Sequence, residues 1–525
     1  MRVKPQFFKT PVKKDLHLEG FFAILSTNAF HMGITPKVLW KTMRNSIKGG
    51  NMLFSSFTFL FFFLPLTLLF YFSLPYLYRL AGQPRGATQA LPAQNLLLFI
   101  ASLLFYSWGE PIYVLLMLLT VLFNYAGGRL LARGRHARAV LLATVTANLL
   151  LLLFFKYSAF LLGLFGLYFN APHMPIGISF YTFQAISYLV DVYRGRTRAA
   201  THIITFGTYI ALFPQLIAGP IVQYNEVEQA LLSRTHTVSG ATRGATRFIA
   251  GLTKKMLIAN PAGALFTEIA ARGTESASFT AAWLLLLAFA VQLYFDFSGY
   301  SDMAIGLGQI FGFNFPENFN YPYIATSFTD FWRRWHITLS SFFRDYVYIP
   351  LGGSKHGVFR TVLALFVVWS LTGLWHGASF NFLLWGLYFY VFLLLEKFLL
   401  ARPLARLPVT FCRVLTFFGV LFGWLLFLLD GSTGALSLKM LPALLCSLIG
   451  LKGLAYGTDL FNLLRHIPFF AIALLGATPL PRRLYEKIRK KHSTFATLFL
   501  PLAAFLLSLC YLASDSFNPF LYFRF

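Results

Sequence analysis

Two histidines sit where their chemistry could be used. His376 lies in GLWHGASF, flanked by Gly373 and Gly377, between apolar stretches at 358–374 and 379–400; His336 lies in SFTDFWRRWHITLS. A neutral imidazole can take the proton of a hydroxyl while that oxygen attacks an acyl carbonyl, and its ordinary pKa, about 6.5, lies near working pH. Glycines beside His376 would allow close approach of backbone or substrate, because no Cβ blocks the path. Upstream, in YFDFSGYSDMAIGLG, Asp296, Ser298, Tyr300, Ser301 and Asp302 interrupt an otherwise hydrophobic run. Ionisable groups at membrane depth cost about 2.5–3.5 kcal/mol each on insertion scales, so they line cavities or pathways. All these groups fall within 291–382. A Gly-x-Ser-x-Gly elbow is absent from the sequence, which disfavours a covalent serine hydrolase. Cys412, Cys446 and Cys510 are scattered singly and offer neither metal-ligand spacing nor a disulfide framework, so no metal site is expected.

The elements that must hold these residues are membrane helices. Of 525 residues, 57% are hydrophobic and 12% charged, with 61 Phe, and the mean hydropathy is +0.65; a soluble chain would carry about 25% charged residues. The expected fold is all-α and polytopic, with about 10–12 transmembrane helices at roughly 20 residues per crossing. Apolar segments run from 52 onward, and the stretch 95–126 is broken at Gly109-Glu110-Pro111, so re-entrant or interfacial pieces are expected as well. The Gly299 neighbourhood followed by NFPENFNYP reads as a broken helix and a loop buried in protein. Between Asp330 and Val347, Trp332, Trp335, Leu339, Phe342, Phe343 and Tyr346 fall at three- and four-residue steps. That pattern predicts one amphipathic helix at the membrane interface, its arginines at headgroup level.

The net charge of +26 is explained by basic cytoplasmic loops and not by a nucleic-acid partner. Arg129, Arg133, Arg135 and Arg138 crowd one short connection, and 482–491 carries six basic residues against Glu486, so both belong on the cytoplasmic side. Residues 1–51, with nine Lys/Arg against Asp15 and Glu19, differ in character from the rest and read as a basic N-terminal extension, with Met52 the expected true start. The membrane domain is then 52–525, its motif core 291–382. No internal repeat is evident, which weakens an inverted-repeat transporter.

In that core, YFDFSGYSDMAIGLG (294–308), NFNYPY (318–323), FWRRWHITLS (331–340), LGG (351–353) and GLWHGA (373–378) resemble the membrane-bound O-acyltransferase family, in particular its bacterial branch typified by alginate O-acetyltransferases. FKYSAF (155–160), PIGISFYTFQAISYLVDVYRG (175–195), FPQLIAGPI (213–221) and SFNPFLYFRF (516–525) fit the same branch, and MLFSS at Met52 matches the family's usual start. The resemblance implies a helical fold around a central tunnel, His376 as catalytic base and His336 as the second family histidine. It implies no bound cofactor, and acetyl-CoA or another acyl thioester as cytoplasmic donor. Candidates for holding the donor are Arg333, Arg334, Trp375, Asp296 and Asn320. The implied setting is the bacterial cell inner membrane and its lipid, with an extracytoplasmic acetyltransferase as partner and a polysaccharide acceptor. The competing readings are a transporter or flippase, and a scaffold of a polysaccharide secretion complex.

Overall fold

The computed structural model describes residues 52–80, 91–273, 277–429, 436–514 and 520. The expected basic extension at 1–51 lies outside the described residues. The fold is helical, with no β-strand among the described residues. Among the described residues, ten helices are long and apolar enough to cross a membrane: α1 (Phe59–Tyr78), α2 (Leu91–Gly109), α3 (Tyr113–Ala132), α4 (Ala137–Leu164), α7 (Phe279–Ile310), α10 (Gly357–His376), α11 (Phe380–Leu404), α12 (Val409–Leu428), α13 (Thr458–Gly476) and α15 (Phe495–Ser514). Between them lie α5 (Ile178–Tyr193), α6 (Val238–Thr253), the short α8 (Phe328–Arg334) and α9 (Ile337–Phe343), and the basic α14 (Leu480–Lys491). The break at Gly109-Glu110-Pro111 separates α2 from α3, as the proline predicts.

The expected break near Gly299 does not occur: α7 is continuous over 32 residues, the longest and most enclosed of the spans. Its acidic residues are answered by cations on α6 and the turn that follows it, so the helix has no need to open. Lys255 Nζ lies 2.7 Å from Asp296 Oδ1, both side chains buried, and Arg247 and Lys254 reach Asp302 at 2.8 and 2.6 Å. Gly299 serves packing instead. With Gly306 on α7, and Gly244 and Gly251 on α6, it forms a pair of matched glycine stripes. A Cβ at Gly244 or Gly251 would fall 2.5 Å from the carbonyl oxygen of Gly306 or Gly299. In lipid, helices associate by such close backbone approach, since apolar side chains gain little by leaving apolar tails. Two distant parts of the chain converge on Tyr300 of α7: the Phe54 ring stacks on it at 4.8 Å and Phe520 meets it edge-on at 5.0 Å.

The amphipathic helix expected over 330–347 is replaced by α8 and α9, split at His336, and a π-helical turn at Arg344–Tyr348. Its aromatic stripe is buried: Trp335, Leu339, Phe342 and Phe343 pack against protein, not a headgroup layer. The segment dips into the molecule because α8 ends where the chain turns left-handed.

Basic residues recur at alternate helix ends. Lys355 and Arg360 stand at the start of α10, Arg402 and Arg406 at the end of α11, and the basic α14 follows α13. Two apolar helices separate each cluster from the next, the pattern the positive-inside rule associates with loops on a shared side. His376 stands at the C-terminal end of α10, one helix length from Lys355 and Arg360.

Replacing Gly251 by Leu should force α6 and α7 apart, lowering the thermal stability of the detergent-purified protein by several degrees relative to a lipid-facing control such as Leu153→Ala; equal unfolding temperatures would show the stripe to be dispensable.

Candidate active site

His336 is placed by an unusual backbone. It caps α9 with φ +44°, the left-handed region a non-glycine residue seldom enters. The loop 318–320 holds the turn from below: Ile337 N donates to Asn318 O at 3.0 Å, and Asn320 N donates to Arg334 O at 2.9 Å. The Asn318 side chain does the rest. Its Nδ2 donates to Ser301 Oγ at 3.1 Å on α7, so its Oδ1 faces α9. That oxygen accepts from Thr338 N at 3.3 Å, from Thr338 Oγ1 at 2.9 Å and from His336 Nδ1 at 3.1 Å.

An amide oxygen can only accept, so His336 carries its proton on Nδ1. Its Nε2 is left as a lone pair, buried and without a hydrogen-bond partner among the described residues. Burial pushes the His336 imidazole down to about 3, which keeps it neutral at working pH. The outcome is a base held at one nitrogen and open at the other.

His376 ends α10 in an aromatic box. The rings of Trp385, Phe427 and Phe382 lie 4.8, 5.1 and 6.4 Å from it, and the side chain is 6% exposed. Trp375 joins the two histidines: its ring centroid is 5.8 Å from that of His336 and 4.9 Å from that of His376. The structure thus gathers His376, His336 and Trp375 into one buried group.

Of the two approaches expected at the flanking glycines, backbone or substrate, the structure shows the approach of protein. A Cβ on Gly373 would collide with the Phe382 carbonyl, and one on Gly377 with the Phe382 ring. They bring α11 against α10 and leave no space for substrate at those positions. Gly377 itself is extended, φ −177°, and needs no glycine for its backbone.

The remaining candidates do not join the cluster as one set. Asp296 is committed to Lys255. Arg334 Nε pairs with Asp330 Oδ1 at 2.7 Å, and its Nη1 donates to Asn320 O at 3.3 Å. Asn320 is exposed and acts through its backbone, while Arg333 is exposed on α8. The residue missed from sequence is Asn318, two positions from the Asn320 chosen. NFNYPY offers both, and only the side-chain geometry tells them apart.

A neutral imidazole buried in a helical bundle, oriented by an amide and sharing an indole with a second imidazole, is an arrangement able to accept a proton out of contact with bulk water. The chain belongs to the MBOAT family, the membrane-bound O-acyltransferases, which it matches over residues 100–438. It is 44% identical over 390 residues to a probable alginate O-acetylase of Pseudomonas aeruginosa, covering 72% of each chain. It is 39% identical over 507 residues to that of Pseudomonas putida, covering 90% of this chain and 100% of the other. Identity to a peptidoglycan O-acetyltransferase of Helicobacter pylori is 36% over 372 residues, 64% and 68% of the two chains. The protein is an O-acyltransferase.

Two outcomes follow from the Asn318 geometry. Asn318→Leu should lower acyl transfer by about 10- to 100-fold at normal membrane levels, because His336 loses both its tautomer and its direction; undiminished transfer would remove the role. In 15N-histidine spectra, the His336 signal should remain that of a neutral Nδ1–H imidazole from pH 5 to 8, since protonation waits until pH falls toward 3; a titration near 6.5 would contradict the burial argument.

Proposed function

We propose that this enzyme moves acetyl groups from a cytoplasmic thioester, acetyl-CoA or a similar donor, toward O-acetylation of an extracytoplasmic polysaccharide, alginate-like or another exopolysaccharide. The observation carrying this reading is the buried His336–Trp375–His376 group, its one open ring nitrogen lying in a family whose members here are named O-acetylases. The names of the relatives support acetyl as the group and polysaccharide as the acceptor. The implied site of action is the bacterial inner membrane, with a tunnel joining the donor side to the acceptor side and an extracytoplasmic acetyltransferase receiving the acetyl group.

The chemistry assigned to the cluster is a single displacement at the acyl carbonyl. An acceptor hydroxyl oxygen attacks, its proton passes to an imidazole, the C–S bond breaks, and the thiolate leaves and takes up a proton. His376, toward the extracytoplasmic side, is the base for the acceptor hydroxyl. His336, held by Asn318 and also in contact with Trp375, steers or supplements it. On the donor side, exposed Arg333 gives an anionic thioester a cation to meet without displacing an internal ion pair. Arg334 and Asp296 keep their structural partners.

The deciding experiment measures O-acetyl content of extracellular polysaccharide in a deletion strain complemented with wild type or His376→Ala at equal membrane levels. Acetylation restored by wild type and absent with His376→Ala is the expected result; full acetylation with His376→Ala overturns the catalytic assignment.

A further inference from the structure

Lys156 and Tyr157 stand side by side on α4, and each donates to a carbonyl in the last turn of α10. Tyr157 Oη–H bonds Leu374 O at 2.8 Å, and the Lys156 ammonium bonds Trp375 O. The final carbonyls of a helix have no partner within it and carry the negative end of its dipole, so a cation and a hydroxyl placed there satisfy and stabilise them. In water that task falls to solvent. Here it falls to a neighbouring span.

The same ammonium lies 5.7 Å from the centroid of the Trp375 ring, within cation–π range. Two phenyl rings of α5 press on that indole from elsewhere, Phe180 at 5.6 Å and Phe183 at 5.8 Å. Trp375 is therefore fixed at its carbonyl and its ring, and it is the residue that touches both histidines. Position along the bundle agrees with this contact. Lys156 follows Arg138 by eighteen residues, about 27 Å of helix, which carries it from the cytoplasmic end of α4 toward the end where α10 terminates.

An ionisable group on an apolar span is costly unless it finds partners, and here the ammonium has a carbonyl and an indole. We infer that Lys156, assisted by Tyr157, is the positioning residue of the active site: it caps the C-terminal turn of α10 and thereby fixes Trp375 and His376 in register with His336. Lys156 acts on the reaction through that turn, and the inference rests on the catalytic reading of His376.

The test uses membrane vesicles of the producing cells, acetyl-CoA as the probe donor, and acetyl incorporation into polysaccharide as the readout, with every variant compared at equal membrane level. Lys156→Met, which removes donor and charge, should lower kcat at least about tenfold while KM for acetyl-CoA stays within about twofold. Lys156→Gln, which keeps an N–H donor, should recover most of that loss, and Tyr157→Phe should lower kcat about threefold. Wild-type kcat in Lys156→Met, a change confined to KM, or a Lys156→Gln variant no better than Lys156→Met would each overturn the positioning role. If Lys156→Met fails to accumulate, Lys156→Gln and Tyr157→Phe decide: near-wild-type turnover in the first with reduced kcat in the second supports the cap, and any other pairing overturns it. His376→Ala, run in parallel, separates the two layers. Transfer surviving in His376→Ala sinks the site reading itself, whereas a dead His376→Ala beside an unimpaired Lys156→Met sinks only the positioning role.

Discussion

One side-chain amide holds the site in its working form. Asn318 Oδ1 receives three hydrogens, two from Thr338 and one from His336, while its Nδ2 is tied to α7 through Ser301. In a medium without water, each of those donors would otherwise be left unsatisfied, and a buried unsatisfied group costs about 1–3 kcal/mol. The left-handed backbone at His336 is itself unfavourable, and it persists because this amide over-determines the turn. Without it, α8 and α9 would have no reason to stay folded against each other at that angle.

From that anchor the geometry propagates through aromatic contact. The indole of Trp375 lies between two imidazoles that are held by entirely different means. His336 is fixed by hydrogen bonds and has one ring nitrogen spare. His376 is fixed by the faces and edges of Trp385, Phe427 and Phe382. Aromatic packing sets the position of a ring, whereas an amide acceptor also chooses which nitrogen carries the proton.

The spans, their number and both histidines were readable from hydropathy and motif, because each is carried by a contiguous stretch. What could not be read were the long-range answers to local anomalies. Asp296 and Asp302 read as lining a cavity or pathway because Lys255, Lys254 and Arg247 are far from them in sequence, and the pairing is visible only when α6 and the turn after it lie on α7. The three- and four-residue steps of 330–347 correctly reported a buried face, but periodicity cannot show that one histidine within it adopts a positive φ. Gly373 and Gly377 were read as admitting either backbone or substrate, and only the fold shows that it is α11 that approaches them. FKYSAF was noticed only as a likeness, since nothing local says that its lysine and tyrosine reach across to another helix end.

The meeting of Phe54, Tyr300 and Phe520 has a consequence for how the molecule is made. Those residues are separated by more than two hundred positions on either side of Tyr300, yet each ring supports the next. Phe520 also lies 4.5 Å below the ammonium of Lys255, whose charge is balanced by Asp296. Until Phe520 has been synthesised, Phe54 and Tyr300 hold an incomplete contact. The centre of the molecule is therefore sealed only after the ten described spans have been made, and a stop between α15 and Phe520 would release a protein that has those spans but lacks the last ring of their central contact.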